Sequence, residues 1–255
     1  MRLRLGPQHC AATLWQGHFR PSVVATAEVH SVTKPIAAVL EALAAQGHDK
    51  PSSARVCIED ELLYYDLWPA VASGRAGEEA RQLELREVHG DEPMAVSSRL
   101  TPCGTQWLSV AMSQALLSGL QDELAEHGVR LRQVSAAMPD DLFAVRDALP
   151  HSGVVALLRE EGMVLLSLVR GRLTDVSWER CNLGMAASMI DRIKGYVYRF
   201  ARAAPDDAVT EAHPDVLLVV THAAQRVKLS RLAKAREWRV VSLEDQAVPV
   251  VQVAA

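Results

Sequence analysis

The sequence predicts an α/β protein built by duplication, with an insert in the first of two units. Two observations predict it. The order of three strands, a helix, a strand and a helix can be read twice along the 255 residues. Sliding the chain over itself by 154 residues sets Leu3 on Leu157, Thr13-Leu14 on Ser167-Leu168, Gly17 on Gly171 and Phe19 on Leu173. The start of the first helix, Thr33, then falls on Ala187, at the start of the matching helix. Identities are few, so the shared order of elements carries the inference. The units are placed at 1–150 and 151–255, with the insert at about 60–112.

The first unit opens as a meander. Residues 2–5, 9–15 and 23–29 carry strand-like apolar residues, with a turn at Gln16-Gly17-His18. A helix follows: Thr33 is placed to cap it and Pro35 lies in its first turn. Ile36, Val39, Leu40 and Leu43 share its inner face, and Gly47 stops it. Residues 54–58 form a buried-type strand and 62–68 an aromatic one. A charged helix over 73–89 leads to strands at 94–100 and 106–112 around the turn Thr101-Pro-Cys-Gly104. Leu116, Leu117, Leu120 and Leu124 form the stripe of an amphipathic helix over 113–127, ended by Gly128. The strand at 129–134 alternates with Arg130 and Arg132.

The second unit repeats the pattern. Strands are predicted at 154–158, 163–169 and 173–178, the last two joined at Arg170-Gly171-Arg172. A helix over 186–203 turns Met189, Ile190, Ile193, Val197 and Phe200 inward. After a loop at 206–214 come a buried strand at 216–220, a basic helix at 223–236 and a last strand at 239–243.

Composition excludes some functions. The chain is 49% hydrophobic and 23% charged, which is globular rather than disordered. Its 27 basic and 31 acidic residues give a net charge of −4, which argues against a general nucleic-acid binder. No apolar run approaches the roughly 20 residues that span a bilayer. The N-terminal MRLRLGPQHC has no secretory apolar core, so a cytoplasmic location is expected. Cys10, Cys57, Cys103 and Cys181 form no C-x-x-C and read as small buried hydrophobes.

Two β-β-β-α-β-α units with an insert in the first resemble the actin-like ATPase fold, two ribonuclease-H-like lobes with mixed sheets. Within it, the pattern is similar to bacterial pilus and secretion adaptors of the PilM type and the cytoplasmic part of the GspL type. The most similar stretch is Trp107-Leu-Ser-Val-Ala-Met-Ser-Gln-Ala-Leu, with the Leu116–Leu124 helix and the strand after His127-Gly128-Val129. The resemblance implies phosphate-binding turns between the first two strands of each unit. An Asp and close-approaching glycines are needed there, because backbone N–H groups cradle an anion only where the chain comes near. The first turn here is Arg4-Leu5-Gly6-Pro7-Gln8, with arginine in place of Asp and a proline that lacks a donor. The second is Arg159-Glu160-Glu161-Gly162-Met163, whose paired carboxylates repel phosphate. The adenine-side Gly-Gly is replaced by Thr221-His222-Ala223-Ala224. No nucleotide, metal or other cofactor is therefore expected, and no catalytic residue is assigned.

Other candidates weigh less. A two-metal nuclease needs strand carboxylates, and Arg2-Leu3-Arg4-Leu5 has none. Glu59-Asp60-Glu61 could hold a hard cation, but a solvated strand-end turn is the commoner fate of such a cluster. Asp140-Asp141 reads as the N-terminal turn of a helix and Asp206-Asp207 as a loop. Neighbouring His9 and Cys10 point to opposite faces of a strand and cannot act as base and nucleophile. His222 is the histidine placed nearest a cleft-facing loop, with exposure at a helix start as the plainer reading. The basic helix holds Arg226, Lys228, Arg231, Lys234 and Arg236, suited to anionic lipid, an acidic partner, nucleic acid or plain solvent.

Leu62, Tyr64, Tyr65 and Trp68, with Leu63, are too apolar for an open loop, so they are packed or form a partner-binding groove with strands 94–112. The expected function is a non-catalytic cytoplasmic adaptor that grips the cytosolic segment of a membrane-anchored pilus or secretion protein. Family resemblance adds self-association and membrane association through partners, with no nucleic acid. The alternative is an ATP-binding enzyme, an ATPase or sugar-kinase-like phosphotransferase.

Overall fold

In a computed structural model, residues 1–16, 22–30, 33–70, 75–101, 105–181, 186–203, 214–221 and 223–244 are described. Strands β1 (Arg2–Leu5), β2 (Cys10–Gln16) and β3 (Ser22–Val29) form the expected meander. Helix α1 (Pro35–Ala45) leads to β4 (Ser53–Ile58), which pairs parallel to β1. The insert holds β5 (Tyr64–Pro69), α2 (Arg75–His89), β6 (Met94–Leu100) and β7 (Gln106–Ser113). Helix α3 (Gln114–Glu126) and β8 (Arg130–Ala136) complete the first sheet, ordered β3-β2-β1-β4-β8.

After α4 (Ala137–Ala144) the pattern starts again with β9 (Gly153–Leu158), β10 (Gly162–Val169) and β11 (Arg172–Arg180). Helix α5 (Ala186–Ala203), β12 (Asp215–Val220), α6 (Ala223–Lys234) and β13 (Arg239–Ser242) follow. The second sheet runs β11-β10-β9-β12-β13, the same order as the first. A third sheet, β5-β7-β6, is the insert's own. By compactness the chain divides into Met1–Tyr64, Val71–Ser98 and Ser109–Ala137 on one hand, and Tyr65–Ala70, Arg99–Leu108 and Met138–Ala255 on the other. One large sheet precedes residue 150 and the other follows it, while α4 from Met138 onward groups with the second unit.

Hydrophobic pattern explains each sheet. In β1, Leu3 and Leu5 enter a core with Cys10, Ala12, Val56 and Ile58, covered by Ile36, Val39 and Leu43 of α1 and by Leu120 and Leu124 of α3. The arginines Arg2 and Arg4 take the opposite face, the period of two that a half-covered sheet requires. The second sheet is different. Every residue of Gly153-Val-Val-Ala-Leu-Leu158 is buried, as befits a central strand held by β10 and β12. Each fully buried Leu there contributes about 2 kcal/mol of transfer free energy.

The registers also correct the alignment of the two halves. The hairpin-closing pair is Leu5 with Cys10 in the first sheet and Leu158 with Met163 in the second. The structural shift is therefore 153 residues, one less than the sequence suggests. At 153, the core residues Leu3, Leu5, Cys10 and Ala12 fall on the core residues Ala156, Leu158, Met163 and Leu165. At 154 they would fall on the opposite face, since a one-residue slip turns a strand over.

Two further expectations change. Thr33 does not cap α1; the cap position is Lys34, in the left-handed region, with no side-chain bond to the helix. The free N–H groups of Ile36 and Ala37 donate instead to Glu123 Oε1 of α3, at 3.1 and 2.9 Å. A carboxylate at a helix N-terminus does the same work as a cap, from a remote segment. The aromatic strand begins at Tyr64, after a 3₁₀ turn over Asp60–Leu62, rather than at Leu62. Helix α4 was visible in the sequence only as an acidic first turn.

Gly47 ends α1 as expected, at φ +82°, with its N–H on Ala44 O. Cys10, Cys57 and Cys181 are buried and outside any disulfide; burial, with the Glu123 charge, pushes the Cys10 thiol up to about 12. Cys103 and the turns at 17–21 and 102–104 lie outside the described residues. Among those described, no helix is long and apolar enough to cross a membrane.

Candidate functional site

The two hairpins that join β1 to β2 and β9 to β10 have the same backbone form. Gly6 N–H donates to His9 O at 2.9 Å, and Arg159 N–H donates to Gly162 O at 2.9 Å. These are the turns that the actin-like resemblance assigns to phosphate. Each closes its first amide on its own chain. What differs is how side chains fill the space around them.

In the first hairpin, His9 folds back over Gly6. A methyl group on Gly6 would stand 2.5 Å from His9 Cε1 and 2.7 Å from His9 Nδ1, so the imidazole occupies the space above that backbone. The Glu59 side chain lies 3.4 Å from the same point, and its own N–H donates to Leu5 O at 2.8 Å. The Glu59 carboxylate is ion-paired with Arg4, which comes from the strand position where Asp was expected. Pro7 offers no donor. The turn thus presents an imidazole and a carboxylate where a cradle for an anion would present open N–H groups.

The second hairpin is altered by a different device. Arg159 does not reach outward. Its guanidinium Nη2 lies 2.8 Å from Asp141 Oδ2 of α4, and the two side chains are only 2% and 6% exposed. A cation held this way is paired with a carboxylate of its own chain. Glu160 is exposed, and Glu161 accepts from Arg180 Nη2 at 2.7 Å. Gly162 packs against β11: a methyl group there would meet Trp178 Cζ2 at 2.8 Å. The expectation that Asp140-Asp141 is simply a helix turn holds for Asp140, which lies in the first turn of α4. Asp141 is the correction, because it is buried on Arg159.

After β12, Thr221 O accepts from Glu244 N–H at 3.3 Å. His222 lies outside the described residues, as does the loop with Asp206-Asp207. The acidic cluster after β4 is not the solvated turn expected: Glu59 is 5% exposed and Asp60 0%. Among the described residues, no three His, Cys, Asp or Glu side chains are placed to hold a metal ion.

Of the four residues expected to bind a partner, one is buried and three are partly exposed. Tyr65 is buried, Leu62 packs against the first core, and Trp68 is half-buried. Tyr64 meets His89 of α2 edge-on, ring centres 5.3 Å apart at 86°. Exposed apolar side chains of the insert lie elsewhere: Leu83 and Val88 on α2, and Val96 and Leu100 on β6. On β6, Val96 and Leu100 share a face with Ser98, which hydrogen-bonds Ser109 of β7 at 2.8 Å. β6 is also an edge of its sheet. The alternation in Met94-Ala-Val-Ser-Ser-Arg-Leu100 was the available sequence signal, but it does not say which face is covered.

No protein-family model matches the chain, and no curated protein matches it by sequence. Solved structures do. A Bacteroides thetaiotaomicron protein with an actin-like ATPase fold and unknown function matches with a TM-score of 0.58 at 14% identity, over 96% of this chain and 90% of that one. A PilM–PilN type IV pilus biogenesis complex matches with a TM-score of 0.59 at 15% identity, over 96% and 88%. The cytoplasmic domain of EpsL, an inner-membrane component of the Vibrio cholerae type II secretion system, matches at 0.47 and 14% identity, over 86% and 81%. The first two establish the fold: this chain has the actin-like ATPase architecture of two ribonuclease-H-like halves.

Proposed function

We propose that this actin-like fold serves as a non-catalytic cytoplasmic adaptor in a bacterial type IV pilus or type II secretion assembly platform. It grips the cytosolic segment of a membrane-anchored component and couples it to the rest of the platform. The observation that carries the reading is the inward Arg159, spent on Asp141 at the turn where an actin-like ATPase needs an anion cradle. The self-filled first hairpin agrees with it, and the likeness to a PilM–PilN complex gives the direction.

The grip is assigned to the outer edge of β6. An edge strand offers unpaired backbone groups to an incoming strand, and alternate side chains set specificity. Val96 and Leu100, 36% and 48% exposed, would be the apolar anchors. Capture of the cytosolic segments of membrane-anchored pilus and secretion components by the purified chain tests this. Val96→Lys with Leu100→Lys is expected to weaken capture by about 30-fold, the loss typical of a central apolar anchor. The melting temperature should not move, because both side chains face solvent. Capture of none of these segments, or capture indifferent to both substitutions, counts against the adaptor reading and against this edge respectively.

A further inference from the structure

The two helices on one face of the second sheet are strongly basic on a chain of net charge −4. α5 carries four basic residues and one acidic residue, Asp191, and α6 carries four basic and no acidic. Their inner residues belong to one core. Met189, Ile193 and Phe200 of α5 and Ala233 of α6 are buried with Ala156, Met163 and Leu218 of the sheet beneath.

The outward stripes have the same composition on both helices. On α5, Lys194, Tyr198 and Arg202 follow at four-residue spacing, which stacks them on one face. Tyr198 is 64% exposed, with the Arg202 guanidinium 5.8 Å from its ring centre. On α6, Val227, Arg231 and Lys234 follow at spacings of four and three, and Val227 is 68% exposed. Arg192 and Arg199 are engaged by Glu179 and do not count toward the patch. Lys194, Arg202, Arg231 and Lys234 have no ion-pair partner among the described residues.

We propose that this α5–α6 face docks directly on an anionic phospholipid surface. Free cations meet headgroup phosphates, while an exposed tyrosine and valine set among them enter the interfacial layer, where amphipathic rings and apolar tips are favoured. A duplex would use the cations but offers no apolar layer to Val227, and any nucleic acid would be opposed by the net charge of the chain. The adaptor reading brings the protein to the membrane through a partner; here the chain contributes its own lipid contact, and the two can fail separately.

The test is flotation of the whole chain, with no partner present, on vesicles of equal parts phosphatidylglycerol and phosphatidylcholine, against phosphatidylcholine alone. Binding is expected only to the anionic vesicles and should fall with salt. Each cation near such a surface is worth about fivefold in affinity. Arg231→Glu with Lys234→Glu should therefore lower binding by well over tenfold, and the neutral pair Arg231→Gln with Lys234→Gln should lower it by less. Tyr198→Ser should weaken binding severalfold and leave its salt dependence unchanged. Circular dichroism melts confirm that the variants are folded; the neutral pair decides the matter if the reversed pair is not. The proposal is overturned by absent binding to anionic vesicles, by equal binding to neutral ones, or by binding that survives the charge substitutions in folded protein. It is also overturned if an oligonucleotide binds as tightly and Tyr198→Ser has no effect.

Discussion

Arg159→Met is expected to destabilise the second unit by about 3–5 kcal/mol, because it leaves the buried Asp141 carboxylate without its cation. The two side chains are 2% and 6% exposed, so water cannot replace the lost partner. The double variant Arg159→Met with Asp141→Leu should recover most of that loss, since an apolar pair of similar volume needs no counter-charge. Urea unfolding of the two single variants and the double variant measures the coupling directly. A single variant within about 0.5 kcal/mol of the native protein would mean that Asp141 does not hold Arg159, leaving the guanidinium available to a ligand.

Gly153→Ala should be the most damaging single change in the backbone of the second sheet. Gly153 opens β9 at φ +156°, beside Asp215 of β12. An added methyl group would stand well inside van der Waals contact with the Asp215 carbonyl oxygen and 3.0 Å from its carbon. Neither atom can move without parting two central parallel strands. A loss of about 3 kcal/mol or more is expected, at the upper end of overpacking costs. Gly195→Ala provides the contrast. That glycine is exposed within α5 and has nothing within 4 Å of the added group. Alanine there should stabilise the chain by up to about 1 kcal/mol through helix propensity and a stiffer unfolded state. Thermal melts of the two variants should move in opposite directions.

The elements of this fold were largely legible in the sequence, because apolar spacing and turn residues are local signals. α5 runs over the predicted 186–203, and the three strands before it differ from expectation by one or two residues at their ends. The failures share a cause, which is that the missing information was non-local. Thr33 looked like a cap because Glu123, which holds the start of α1, is 87 residues from Ile36. Glu59 looked solvated because its partner Arg4 lies on another strand, 55 residues away. Asp141 read as part of a helix turn and Arg159 as part of a hairpin turn, and folding places them 2.8 Å apart. The alignment of the halves slipped by one residue because both faces of β9 are apolar, so the pattern of Val154 to Leu158 does not distinguish one register from the next.

The same reasoning explains the insert. Leu62, Tyr64, Tyr65 and Trp68 were singled out for apolar content, but content does not say which face is already covered. Burial does: the exposed apolar residues of the insert fall on α2 and on β6, an edge of its sheet. The nucleotide turns were legible as departures from a pattern. The structure adds their surroundings, His9 and Glu59 against Gly6 in one hairpin and Arg159 turned inward onto Asp141 in the other.

The claim beneath this account is that neither hairpin turn offers a phosphate the open amides and the available cation it needs. Melting the native protein with and without millimolar ATP and Mg²⁺ tests it most directly. A ligand present at 100 times its Kd adds about 2.7 kcal/mol, which is a rise of roughly 5–10 °C for a chain of this size. The account predicts an unchanged melting temperature, and a rise of that order would contradict it.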